Sequence, residues 1–224
     1  MTLDTLLLIL EIIGTIAFSV TGVITALEKK LDVFGAVVLG LCTAVGGGMM
    51  RDIILGYLPP VAFRNSVYSV TAIAAAILVY IIAWLAGRKI KTHFEVYSQV
   101  INLFDSIGLA VFTIGGINNA YACGFTDNAY LCIFVGVLTG VGGGVLRDIM
   151  AGKIPGILIK RIYALAAVAG ALVYQMITEY THLEKPLAIA AGTGVILLIR
   201  ILATVFRWNL PRIKNLGEDK TEEQ

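Results

Sequence analysis

Two Arg-Asp dipeptides, Arg51-Asp52 and Arg147-Asp148, follow two glycine triplets, Gly46, Gly47, Gly48 and Gly142, Gly143, Gly144, in stretches that are otherwise apolar. The stretches are TAVGGGMMRDIILGYLPP from Thr43 and TGVGGGVLRDIMAGKIPG from Thr139, and the second begins 96 residues after the first, so the feature is repeated. Its chemistry is electrostatic. A charge at the centre of a bilayer costs about 2.5 to 3.5 kcal/mol on insertion scales, and such residues pair with one another or mark a path for ions or solutes. For Arg51, Asp52, Arg147 and Asp148 both roles are open. Glu11 and Asp105 are two further carboxylates within apolar runs, at positions 94 apart. Asp105 is the stronger candidate because Glu11 lies nearer a span end. Thr43 and Thr139, with Ser19 and Thr113, either return hydrogen bonds to their own helices or face the same path.

Other chemistries are excluded by spacing. A phosphate-binding loop requires G-x-x-x-x-G-K-[ST], but Gly152-Lys153 is followed by Ile154, and Arg147 stands where the first glycine belongs. His93 and His182 are isolated, and no nucleophile, base and orienting group can be assembled. Cys42, Cys123 and Cys132 have no metal-ligand spacing and read as small apolar packers. No enzyme, cofactor or tightly bound metal is expected, and a formal charge of +2 gives no basis for nucleic-acid binding.

The elements that position these groups are membrane helices. Of 224 residues 58% are hydrophobic and 14% charged, and the mean hydropathy is +0.88, outside the range of ordinary soluble domains. A bilayer core takes about 20 apolar residues per helix. Seven spans are expected, at Leu3 to Leu27, Val33 to Gly56, Val67 to Ala86, Val96 to Ile117, Ala129 to Gly152, Ile162 to Thr178 and Leu187 to Phe206. The leader MTLDT has no basic residue, so the first span reads as a retained helix rather than a secretory signal. With the N-terminus outside, Lys29, Lys30, Arg88, Lys89, Lys91, Lys153, Lys160, Arg161, Arg207, Arg212, Lys214 and Lys220 lie inside, twelve against Arg64 and Lys185 outside. This asymmetry predicts a cytoplasmic C-terminus in a bacterial or archaeal cell membrane.

The repeat extends over three spans. Glu11, Gly14, Phe18 and Gly22 return as Asp105, Gly108, Phe112 and Gly116, and Leu78 to Tyr80 return as Leu172 to Tyr174. The single transmembrane domain, 1–206, therefore divides into a first repeat (about 3–87), a second (about 96–179) and a seventh helix (about 187–206), followed by a solvated, disordered cytoplasmic tail at 207–224. An odd number of spans inverts the second copy, an arrangement associated with solute and ion pathways at the repeat interface. Each glycine costs about 1 kcal/mol relative to alanine in a helix. Three in succession predict that spans 2 and 5 break there, leaving half-helices such as Met49 to Gly56 whose first turns carry Asp52 and Asp148. The competing expectation is close packing. Ala36, Gly40, Ala44 and Gly48 recur every four residues, as do Cys132, Gly136, Gly140 and Gly144, the small-residue pattern of tightly crossed membrane helices.

Two copies of G-G-G-x-x-R-D in a repeated three-span unit, with a seventh helix, resemble the prokaryotic branch of the trimeric intracellular cation (TRIC) channel family, also labelled glycine-transporter-like. The resemblance covers about Leu3 to Phe206. It implies a homotrimer within membrane lipid, with a pore in each subunit bordered by the glycine-kinked spans 2 and 5 and potassium or sodium as the permeant ion. It carries the kinks onto the two glycine triplets and the charged ends onto Arg51, Asp52, Arg147 and Asp148. The phosphoinositide-binding motif of the animal members has no clear counterpart. Taken alone, the residues leave two functions open, a passive cation channel and a carrier for glycine or another small zwitterion, the latter favoured by helix N-termini and arginines that suit a carboxylate.

Overall fold

The computed structural model describes residues 3–86, 94–159, 162–181, 183–206 and 208. Among these every regular element is helical: α1 (Leu3–Glu28), α2 (Val33–Ile54), α3 (Val61–Arg64), α4 (Ser66–Ala86), α5 (Phe94–Ala122), α6 (Ala129–Met150), α7 (Gly156–Ile159), α8 (Ile162–Tyr180) and α9 (Lys185–Val205). Seven are long and apolar enough to cross a membrane. They occupy the seven expected spans, with ends shifted by a few residues. The largest shift is in α5, which continues to Ala122. There Asn118 and Asn119 donate their side-chain amides to Ile114 O (2.9 Å) and Gly115 O (2.8 Å), so both polar side chains are satisfied within the helix. The tail apart from Trp208, with His93, His182 and the basic residues Arg88, Lys89, Lys91, Lys160, Arg161, Arg207, Arg212, Lys214 and Lys220, lies outside the described residues.

The inverted repeat is visible at the helix ends. Asp32 caps α2 by accepting from Gly35 N (2.7 Å), and Asn128 caps α6 by accepting from Leu131 N (3.0 Å). At the other end Gly56 and Gly152 adopt left-handed φ values of 68° and 64°, which cost glycine little. The following amides reach back to the same position: Tyr57 N to Asp52 O (2.8 Å) and Lys153 N to Asp148 O (2.8 Å). Both helices thus stop in the same Schellman turn, and each is followed by a single helical turn, α3 or α7.

The centre of the fold is α2 packed on α6, flanked by α1 and α5. α4 lies against α1 and α2, α8 against α6 and α9, and α9 also covers α5. The repeats pair α1 with α5, α2 with α6 and α4 with α8. α9 has no counterpart.

The expected breaks at the glycine triplets do not occur. α2 is helical through Gly46 to Gly48 and α6 through Gly142 to Gly144. Close approach explains why the glycines are there. A Cβ on Gly47 would collide with Thr139 O, and one on Gly143 with Thr43 O. Unwinding would strand backbone N–H and C=O groups in the membrane core, whereas a continuous helix satisfies them and lets two backbones touch. Asp52 and Asp148 consequently lie in the last turns of α2 and α6, not in the first turns of half-helices.

Candidate functional site

Two cavities enter the α1, α2, α5, α6 core from opposite ends. Because α1 runs from Leu3 past Glu11 and Thr15 towards Thr25 and Glu28, the cavity containing Glu11 opens at the N-terminal end and the one containing Asp105 at the other. They measure about 60 Å³ and about 270 Å³ respectively.

In the Glu11 cavity, Arg51 and Asp52 form an ion pair although adjacent in sequence. Arg51 Nε donates to Asp52 Oδ1 (2.8 Å), with Nη2 at 2.8 Å from the same oxygen. The second carboxylate oxygen accepts from Val61 N (2.8 Å), so Asp52 also fastens the first residue of α3. Glu11 takes no part in this pair. Its carboxylate accepts from the Tyr68 hydroxyl and from Asn119 Nδ2 (3.1 Å), both neutral donors.

The Asp105 cavity repeats the motif and adds to it. Arg147 Nε donates to Asp148 Oδ1 (2.9 Å), and Asp148 Oδ2 accepts from Gly156 N (2.8 Å) at the start of α7. Here the arginine reaches further, placing Nη1 at 2.9 Å from Asp105 Oδ1 and 3.0 Å from Thr21 Oγ1. A second arginine completes the cluster: Arg200 Nη2 lies 3.8 Å from Asp105 Oδ2, its Nε donates to Ser106 Oγ (3.0 Å), and its guanidinium stands 4.7 Å from the centre of the Tyr163 ring. Lys153 and Glu28 form an ion pair at the mouth.

Arg51, Asp52, Asp105, Arg147, Asp148 and Arg200 are all buried. Removing one member of a buried pair strands the other charge at a cost of about 3 to 5 kcal/mol, which is why these groups occur as pairs and triads.

The crossing separates the cavities. Phe18 and Phe112, equivalent in the repeats, meet there with ring centroids 5.2 Å apart, Phe18 buried and Phe112 bordering the Glu11 cavity. The expected candidates therefore fall into three groups. Glu11, Gly48, Arg51 and Asp52 line one cavity, and Asp105, Gly144, Arg147 and Asp148 the other. Gly47, Gly142 and Gly143 lie at the helix contact, where a Cβ on Gly142 would approach Gly47 Cα at 3.1 Å; Gly46 packs on Leu146. Thr43 and Thr139 donate to Leu39 O and Val135 O (2.6 Å each), the local bonds expected of them. Ser19 differs, donating across to Ala72 O of α4 (2.7 Å), and Thr113 Oγ1 makes no hydrogen bond among the described residues.

Sequence reasoning missed Arg200, Tyr68 and Tyr163. Arg200 carried a usable signal, being an ionisable residue within a span. The tyrosines, each beside the carboxylate of its own repeat, could be found only by aligning the repeats one residue out of step.

The protein-family model described as "Glycine transporter" matches residues 8–84 and 102–179, one match per repeat. A UPF0126 membrane protein of Deinococcus radiodurans is 36% identical over 194 residues, covering 85% of this chain and 84% of that protein. The UPF0126 inner membrane protein YadS of Escherichia coli is 34% identical over 201 residues, 90% of this chain and 92% of its own length. Among solved structures, one from a study of conductance through TRIC cation channels has a TM-score of 0.81 at 33% identity, covering 97% of this chain and 100% of that one. The TRIC trimeric intracellular cation channel orthologue of Rhodobacter sphaeroides has a TM-score of 0.81 at 29% identity, covering 91% and 100%. Matched in both repeats and along nearly its whole length, the chain belongs to the TRIC channel family, also described as the glycine transporter family, and is a multi-pass bacterial membrane protein rather than an enzyme.

Proposed function

We propose that the chain is a homotrimeric channel for monovalent cations, potassium or sodium, with a separate path in each subunit along α2 and α6. The carrying observation is the pair of charged cavities that enter from opposite ends of the α2–α6 crossing, with Phe18 and Phe112 in contact at the crossing between them. The path runs from Glu11, Gly48, Arg51 and Asp52, past the aromatic pair and the Gly47–Gly143 contact, to Gly144, Asp105, Arg147 and Asp148. Paired carboxylates and arginines line it, so a permeating ion meets alternating charge rather than a tight metal site. Support comes from relatives of the same fold described as cation channels. The basic-residue asymmetry orients the subunit with the N-terminus outside and the C-terminus in the cytoplasm, and the exposed apolar residues of α4, among them Trp84 and Leu85, suit lipid or a neighbouring subunit.

The test is single-channel recording of the purified protein in a planar bilayer under a potassium gradient. Unitary currents reversing near the potassium equilibrium potential are expected. The carrier reading is favoured by the "Glycine transporter" description. It is weakened by continuous helices, which provide no half-helix N-terminus to hold a carboxylate. Uptake of labelled glycine by proteoliposomes, without unitary currents, would replace the channel reading with the carrier.

A further inference from the structure

The two cavities obey the repeat symmetry except in charge. At one end Glu11 and Asp52 face Arg51, and since Arg51 is taken by Asp52, among the described residues the Glu11 carboxylate is held by a phenol and an amide alone. At the other, Glu28, Asp105 and Asp148 face Arg147, Lys153 and Arg200, three against three, with Asp105 between two arginines at 2.9 and 3.8 Å. The difference originates in topology. α9 stands outside the repeat, packs on α5 and α8, and brings Arg200 to Asp105. Among the described residues of the first repeat, no cation is paired with Glu11.

We propose that Glu11 sets both the cation preference and the direction of easier flow: Arg200 neutralises the Asp105 end, the Glu11 end is left with net negative charge, and monovalent cations captured there pass towards Asp105 more readily than they return. This rests on the cation-channel reading. A carboxylate in a narrow, low-dielectric mouth raises the local concentration of counter-ions by about tenfold or more. The effect fades with salt, because the Debye length falls from about 30 Å at about 0.01 M to about 3 Å at about 1 M. Arg200 acts through Asp105 and is a positioning residue for the field, with no direct contact to the ion required.

The experiment records single channels of the full chain in symmetric potassium chloride at those two concentrations. Orientation is read from a tag on the N-terminus, which lies at the Glu11 end of α1. At low salt, current carried from the Glu11 end should exceed the reverse by at least about twofold, and the ratio should approach one at high salt. Glu11→Gln, which keeps an oxygen for Tyr68 or Asn119, should abolish the asymmetry. Arg200→Gln should also abolish it, by uncovering Asp105, while raising cation-over-anion preference; Arg200→Lys should restore the wild-type ratio. A merely structural arginine would change protein yield without changing rectification. Cation-selective currents that do not rectify at low salt, or rectification that survives in Glu11→Gln, would overturn the proposal and leave the channel reading standing. Absence of any cation current would overturn both. If Arg200→Gln yields no folded protein, Glu11→Gln decides alone.

Discussion

Gly47 and Gly143 meet in a reciprocal contact: a Cβ on Gly47 would strike the carbonyl oxygen of Thr139, and a Cβ on Gly143 the carbonyl oxygen of Thr43. The obstacle on each side is backbone, which cannot rotate away. Gly47→Ala and Gly143→Ala should therefore push α2 from α6 and each cost on the order of 1 to 3 kcal/mol, the usual range for overpacking. Gly48→Ala is the control, since the nearest atom to its Cβ is the flexible Arg51 guanidinium at 3.5 Å. Thermal unfolding in detergent should show the first two melting earlier and the third close to wild type. Equal melting of all three would remove the glycine contact as the reason for the motif.

Much of the fold was legible before any coordinates. Length and hydropathy located seven spans, and the 96-residue recurrence of G-G-G-x-x-R-D revealed the inverted repeat, because membrane helices must satisfy their own backbones and so advertise themselves as apolar runs. The state of Gly46 to Gly48 was not legible. Intrinsic propensity argued for a break and the four-residue spacing of small residues argued for packing, and only the partner helix decides between them. The pairing of Arg51 with its neighbour Asp52 was hidden for a similar reason. Adjacent residues on a helix point about 100° apart, yet arginine is long enough to fold back when the carboxylate is also held by Val61 N.

Asp52 and Asp148 each perform two tasks, accepting from an arginine Nε and from the backbone amide that opens α3 or α7. Asparagine has one acceptor oxygen and cannot do both, so Asp52→Asn, which also leaves the buried Arg51 without its paired carboxylate, should lose about 3 to 5 kcal/mol, and Asp148→Asn, whose arginine keeps Asp105, about 1.5 to 3 kcal/mol. Faster amide hydrogen exchange at Val61 and Gly156 should accompany the loss. For Asp52→Asn we also expect the reversal potential in a salt gradient to move towards the anion value, because Arg51 loses its counter-charge. Arg51→Gln should move it the opposite way. Unchanged exchange and unchanged reversal potentials in folded variants would assign neither task to these carboxylates.

Phe18 and Phe112 occupy the narrow part of the proposed path, and their chemistry offers a permeating ion nothing but ring surface. Truncating Phe112, which is only partly buried, should raise unitary conductance with a modest loss of stability. Phe18→Ala should raise it as well but cost about 3 to 5 kcal/mol, since Phe18 is 1% exposed. Bilayer recordings of both variants check the prediction. Conductance that does not rise in either would place the barrier elsewhere.

The repeat-related carboxylates Glu11 and Asp105 should respond very differently to neutralisation, and stability alone can show it. Asp105 holds Arg147 at 2.9 Å and stands 3.8 Å from Arg200, both arginines buried. Asp105→Asn leaves Arg147 with Asp148 and takes from Arg200 the carboxylate it faces, and the expected loss is about 3 to 5 kcal/mol, the cost of breaking a buried pair. Among the described residues the Glu11 carboxylate hydrogen-bonds to Tyr68 and Asn119 only, so Glu11→Gln strands no paired opposite charge and forfeits one charge-assisted hydrogen bond, about 1.5 to 3 kcal/mol at most. Adding Arg200→Leu to Asp105→Asn should recover part of the loss by removing one uncompensated cation, whereas adding it to Glu11→Gln should not. Thermal or denaturant unfolding of the two single and two double variants measures this without reference to transport. Additive losses in both pairs would mean that Arg200 is not coupled to Asp105 and that α9 merely covers the core.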